Sequence, residues 1–240
     1  MTFIFLTFTL VTGGLMRVSA QESVSRIILL NDETILVLKH GKLFKGSEIC
    51  YGFEDIADAC AFSAEKYAVL TRTGKICFLD KWCRVIGECT KLPATISTTK
   101  AKISPSYDNS IYILNQISCS IFNVDRFLGV KTVITLNSDC PDIKEFYIEG
   151  SNIIAVKNEK VVEISPSGTN IIQAGDTVTS IHYSFPFLLI GFQNKKAIIY
   201  NFQEKKVVAE YALPIVPMAI KSSGHFIILS DGNKIEKIRQ

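Results

Sequence analysis

Apolar and polar positions along this chain fall into a repeating unit: an apolar run, a tight polar or glycine turn, and a second apolar run. The turns lie at His40-Gly41, Thr73-Gly74, Asn115-Gln116, Asn158-Glu159, Gln193-Asn194 and Asp231-Gly232. Their spacing, roughly 33 to 43 residues, is the period of a four-stranded propeller blade. With the strands of each unit named a to d, the second unit reads most clearly, as 56–62, 67–71, 75–80 and 84–90. The third reads 98–104, 110–114, 117–123 and 131–136. The fourth reads 143–148, 152–156, 160–164 and 170–173, and the fifth 178–183, 187–191, 196–201 and 206–211. The first unit is weaker, at 25–30, 34–38, 42–45 and 48–51. The sixth supplies 216–221, 226–230 and 233–238 and has no d strand.

This pattern predicts an all-β chain forming a single six-bladed β-propeller over residues 21–240. The alternative is a seven-bladed or incomplete ring that recruits N-terminal strands. A ring of sheets commonly borrows its missing outer strand from the opposite terminus, which removes an open edge. Helical patterning is nearly absent; residues 53–64 carry helix formers without an apolar stripe, so 56–62 is read as strand.

Residues 1–20 admit three readings: a cleaved signal peptide, an uncleaved anchor and a structural strand pair. Residues 2–16 carry no charge, and Arg17 is followed by Val18-Ser19-Ala20, a small-residue ending suited to signal-peptide cleavage before Gln21. Alternatively, 5–12 and 15–19 form a strand pair around Gly13-Gly14. The signal peptide is the reading carried forward, with residues 21–240 as the propeller. After residue 20 the apolar runs are strand-sized and none is long enough to span a bilayer.

Composition narrows the function classes. Apolar residues make up 48% and charged residues 20%, which fits a packed domain rather than disorder. Net charge is +3 with no run of five like charges, so a nucleic-acid partner has no electrostatic support. The seven cysteines (Cys50, Cys60, Cys77, Cys83, Cys89, Cys119, Cys140) cannot all pair within one chain. No Asn-x-Ser/Thr glycosylation site occurs. If a c–d turn centres on Cys83, Cys77 and Cys89 face each other, either as a disulfide or as two small buried thiols.

At the end of strand c stand Leu79-Asp80, Phe122-Asn123 and Tyr200-Asn201, an apolar or aromatic residue followed by Asp or Asn. These pairs resemble the Trp-Asp ending of degenerate WD-repeat propellers, over about residues 24–240. No Gly-His precedes strand a, no Trp-Asp occurs, and Trp82 is the single tryptophan. The resemblance implies a platform for partner proteins and transfers no individual functional residue.

The chemistry-bearing residues are sparse. No metal site is expected, because there is no Cys-x2-Cys pair and His40, His182 and His225 fall apart in the repeat. No cofactor motif, Gly-x-Ser-x-Gly or phosphate loop occurs. Asp176, in the d–a loop that opens onto the funnel, and His182, in the middle of the strand that follows, are the acid–base pair through which a propeller hydrolase would meet its substrate. Tyr107, Phe127, Tyr183 and Phe185 are candidate partner contacts, since ring side chains anchor interfaces. The basic pairs Lys195-Lys196 and Lys205-Lys206, with Lys100 and Lys102, form either a positive edge for an acidic partner or a guard against edge-strand aggregation. The expectation is a non-catalytic, protein-binding module of the secretory pathway, in the endoplasmic reticulum lumen or secreted. The alternatives are a cytosol-facing traffic regulator, similar to the propeller exchange factor of COPII budding, and a small propeller hydrolase.

Overall fold

A computed structural model describes residues 24–240, apart from 31–33, 51–54, 64, 107–109, 126–128, 136–139, 141, 174 and 224. The readings of residues 1–20 as signal peptide, anchor or strand pair fall outside the described residues.

The described chain is all strand and turn, arranged as six small antiparallel sheets in a ring: a six-bladed β-propeller. The first blade holds β1 (Val24–Leu29), β2 (Ile35–Lys39), β3 (Lys42–Lys45) and β4 (Glu48–Ile49). The second holds β5 (Ile56–Ala61), β6 (Lys66–Thr71), β7 (Lys75–Asp80) and β8 (Thr90–Lys91). The third holds β9 (Ala101–Pro105), β10 (Ile111–Asn115), β11 (Ser120–Asp125) and β12 (Gly129–Thr135). The fourth holds β13 (Ile143–Glu149), β14 (Asn152–Lys157), β15 (Lys160–Ser165) and β16 (Gly168–Gln173). The fifth holds β17 (Val178–Ser184), β18 (Phe187–Phe192), β19 (Lys196–Asn201) and β20 (Lys206–Ala212). The sixth has three strands among the described residues: β21 (Ala219–Ser223), β22 (Phe226–Ser230) and β23 (Ile235–Arg239).

Alternating Ile, Val and Leu put apolar side chains on both faces of each blade, so the core lies between blades rather than within one. One buried cluster joins blades one and two through Leu36, Leu43, Tyr67 and Leu79. Four others join each successive pair up to blades five and six. The seam that closes the ring buries only Ile27, Leu29, Ala219 and Ile228, the smallest cluster of the set.

Strand boundaries depart from the periodic reading where side chains or backbone override it. Strand d of the second blade shrinks from 84–90 to β8, because Cys83 and Gly87 adopt positive φ (64° and 77°) and leave only an isolated Leu79–Val85 bridge. In the third blade, strand c begins at Ser120 rather than residue 117. The Asn115 carboxamide oxygen accepts from the N–H groups of Ile117 and Ser118 and holds them in the turn. The same device ends strand c in two blades. Asp80 accepts from the N–H groups of Trp82 and Arg84, and Asn201 from those of Gln203 and Glu204. Asn123 instead lies inside β11 and donates to Ser110 Oγ, so the three Asp/Asn positions do not share one role.

Both disulfides lie in the first two blades. Cys50 is joined to Cys83, tying the end of blade one to the c–d turn of blade two. Cys77 is joined to Cys89, tying strand c to the long connection that leads into the shortened β8. Cys60, Cys119 and Cys140 take no part in these disulfides.

Candidate functional site

The inner strands β1, β5, β9, β13, β17 and β21 surround a central channel of about 750 Å³. Each inner strand pairs on one side only, so alternate backbone N–H and C=O groups point into the channel and need partners. At the second rung of each ladder, Arg26 stands opposite Leu38, Asp58 opposite Leu70 and Lys102 opposite Leu114. Glu145 stands there opposite Val156, Ser180 opposite Gly191 and Ile220 opposite Leu229. In four blades a bulge directly precedes this rung and re-aims the side chain.

Around the ring this layer reads positive, negative, positive, negative, hydroxyl, aliphatic. The Arg26 guanidinium donates to Asp58 Oδ2 at 2.7 Å and to the Ile103 carbonyl at 3.1 Å. It then reaches Glu145 Oε1, from the blade diametrically opposite, at 3.6 Å. Asp58, fully buried, also accepts from the Ile103 N–H at 2.8 Å. Glu145 Oε2 accepts from the Ile181 N–H, and the Tyr147 hydroxyl donates to the Ile181 carbonyl. Side chains of one half of the hub thus satisfy the exposed edges of Ile103 and Ile181. Burial works against ionised Arg26, but Asp58 and then Glu145 outweigh it and hold its pKa above the usual value. Burial raises Glu145 despite Arg26, and it pushes the neighbouring Cys60 thiol up to about 12, leaving that thiol unreactive.

Blades five and six present different chemistry. Ser180 Oγ and Thr179 Oγ1 both donate to the Pro217 carbonyl, at 2.6 and 2.7 Å. Gly191 permits this approach, since a Cβ there would lie 2.6 Å from the Pro217 ring. His182 and Lys221 line the channel beside them. Burial, reinforced by Lys221, brings the His182 pKa down to about 4, so the imidazole is neutral at physiological pH. Burial also lowers Lys221.

His182 also borders a groove of about 330 Å³ between blades five and six. The groove wall is apolar, formed by Phe185, Phe187, Leu189, Ile199 and Val208, and Ser222 adds a hydroxyl. Phe185, Phe187 and Val208 are 51%, 44% and 43% exposed, a high value for side chains of this size grouped together.

The residues singled out from sequence separate in space. Phe185 lies in the β17–β18 connection, whereas Lys195 lies in the β18–β19 turn. Six residues of strand, about 20 Å, hold them on opposite faces of the ring. Lys195 is exposed, while Lys196 is half-buried and pairs with Glu210 at 2.8 Å. Tyr183 is not an exposed contact: it is 4% exposed and packs against Tyr147 and Phe202, because β17 turns it into the core between blades four and five. Tyr107 and Phe127 lie outside the described residues. Lys102 lies in the hub rather than on a basic outer edge with the hairpin-tip lysines. Asp176 precedes β17 and His182 lies near its far end, so the strand separates the two rather than bringing them to one substrate. Among the described residues no cluster of three or more His, Cys, Asp or Glu could hold a metal, and no helix is long and apolar enough to cross a membrane.

Arg26, Asp58, Glu145 and Lys221 escaped the sequence reading. Their trace is a single charge inside an apolar inner-strand run, as in Ser25-Arg26-Ile27 and Ala57-Asp58-Ala59.

No family model matches this chain, and no curated protein does. Solved propellers do. BamB from Moraxella catarrhalis aligns with a TM-score of 0.50 and 11% identity over 88% of this chain and 67% of that one. PorZ, an essential bacterial surface component of the type-IX secretion system of Porphyromonas gingivalis, aligns with a TM-score of 0.50 and 10% identity over 91% of this chain. The extracellular domain of a hybrid two-component system from B. thetaiotaomicron gives a TM-score of 0.52 and 10% identity over 90% of this chain. This chain spans 37% and 34% of the latter two. These similarities establish the propeller fold; WD-repeat membership does not follow from them.

Proposed function

We propose that this propeller is a non-catalytic, protein-binding module of the secretory pathway, working in an oxidising lumen or outside the cell. The observation that carries the binding role is the exposed apolar groove between blades five and six. Aromatic and aliphatic side chains grouped at a concave surface are the usual anchors of a protein or peptide ligand. The same face of the ring, formed by the a–b and c–d connections, carries Trp82 at 60% exposure and Phe226 at 43%. Lys81 and Arg84 flank the Trp82 ring at 5.0 and 4.8 Å, which holds the indole outward as a second anchor. The two disulfides and the cleavable pattern before Gln21 support the compartment, because such crosslinks persist where thiols are oxidised.

A photo-crosslinking residue placed at Phe185 or Trp82 in the producing cell tests this reading. One discrete protein adduct is expected at these positions and none at Ile117 or Lys195 on the other face. Adducts confined to the other face would overturn the choice of surface. Amino-terminal sequencing of the mature chain should begin at Gln21; an intact Met1 would move the protein to the cytosol-facing alternative.

A further inference from the structure

The channel beside the groove holds a cation that no described residue neutralises. Arg26 is committed to Asp58, Glu145 and the Ile103 carbonyl, and Lys102 lies near Glu145. Lys221 makes no ion pair or side-chain hydrogen bond among the described residues, although it is half-buried. Among the described residues its neighbours offer no carboxylate. The layer flanking it is Ser180 and Ile220, and next along the channel stand His182 and Ser222. Asp142 and Glu159 line the same channel, but at the opposite mouth, before β13 and in the β14–β15 turn. The His182 ring contacts Tyr147 edge-on at 6.3 Å and makes no hydrogen bond among the described residues. It borders both cavities, while Lys221 lines the channel and its chain neighbour Ser222 lines the groove.

A half-buried ammonium without a counter-ion is unfavourable unless a ligand supplies one. The apolar wall, the neutral imidazole and the Lys221 ammonium therefore describe one composite site. We propose that the peptide bound in the groove between blades five and six carries a carboxylate, which enters the channel and pairs with Lys221. Its apolar side chains pack on Phe185, Phe187 and Val208. His182 faces the carboxylate from the adjacent inner strand, and Ser222 offers a hydroxyl donor at the threshold. The occupant is thus an acidic, apolar segment of a partner protein. This inference rests on the groove being the docking surface.

The test is selection from a phage-displayed random peptide library on the full, disulfide-intact chain, followed by affinity measurement. Selected peptides should combine Asp, Glu or a free C-terminal carboxylate with an aromatic or large aliphatic residue. Lys221→Met should weaken binding by about 30-fold or more, as loss of one partner of a desolvated charge pair does. Lys221→Arg should restore most of the affinity, which separates charge loss from misfolding. Replacing the peptide's acid by its amide should produce the same loss. Bound acidic peptide should also raise the His182 imidazole pKa by about one unit, through a new negative neighbour, and the amide peptide should not. Peptides lost on Phe185→Ser but bound equally by Lys221→Met, or selected without any acid, would sink the carboxylate inference and leave the groove standing. Peptides indifferent to both substitutions would remove both.

Discussion

The two sides of the hub solve the same backbone problem differently. Blades one to four bring Arg26, Asp58, Lys102 and Glu145 to one layer, and their charges neutralise one another while satisfying Ile103 and Ile181. Blades five and six use Ser180 and Thr179 on a loop carbonyl and leave Lys221, among the described residues, without a counter-ion next to a neutral His182. Charge that is locked within the protein stabilises the ring. Charge left open at a cavity is available to a ligand. Within the hub, the first side is scaffold and the second is open to a ligand.

The comparison breaks most directly at Asp58. Asp58→Ala strands a buried guanidinium and the Ile103 N–H together, so a loss of about 3–5 kcal/mol in unfolding free energy is expected by denaturant titration. A loss below 1 kcal/mol on the scale of ordinary surface substitutions would mean that the hub pair is not structural.

Crosslinks sharpen the same contrast, since both lie on the scaffold side. Chain-entropy arguments assign about 3 kcal/mol to the 12-residue separation and about 4 kcal/mol to the 33-residue one. Reduction should lower the melting temperature and speed amide exchange in β7 and β8 before it affects β18 or β21. The oxidised, denatured chain should titrate three thiols, those of Cys60, Cys119 and Cys140.

His182 gives the working side a pH signature. Its imidazole titrates near 6.5 when unfolded and near 4 when folded, so between these values the unfolded chain binds the extra proton. Stability should fall as pH drops through that window, by about 3 kcal/mol in all, and level off below it. Glu145, raised by burial, acts in the opposite direction. The difference between the wild type and His182→Gln isolates the histidine, and identical pH profiles for the two would remove it.

The smallest effect belongs to Lys221. Lys221→Met should change stability by less than about 1 kcal/mol, or stabilise, because no partner is orphaned. A loss comparable to that at Asp58 would show that Lys221 belongs to the scaffold.

The fold was legible because its cause is local. Apolar runs broken by Thr73-Gly74 or Asp231-Gly232 specify hairpins wherever they occur, and equal spacing leaves the ring as the way to bury both faces. The facing of Cys77 and Cys89 followed from the same hairpin geometry, which left open whether they form a disulfide or two buried thiols; the structure joins them. The Cys50–Cys83 crosslink did not, because it depends on how two blades pack. The site was less legible for the same reason. Arg26 and Glu145 are more than a hundred residues apart and meet only across the closed ring. Tyr183 and Phe185 look alike in sequence, yet Tyr183 lies within β17 and is buried, whereas Phe185 lies in the connection just beyond it and is exposed.

Amide hydrogen exchange of the full chain, with and without the protein crosslinked at Phe185, tests the central claim most directly. The account predicts slowed exchange in β18 and β21, around the groove and Lys221, with the Asn115, Lys195 and Asp231 turns unchanged. Slowing confined to those turns, with the groove unaffected, would contradict it.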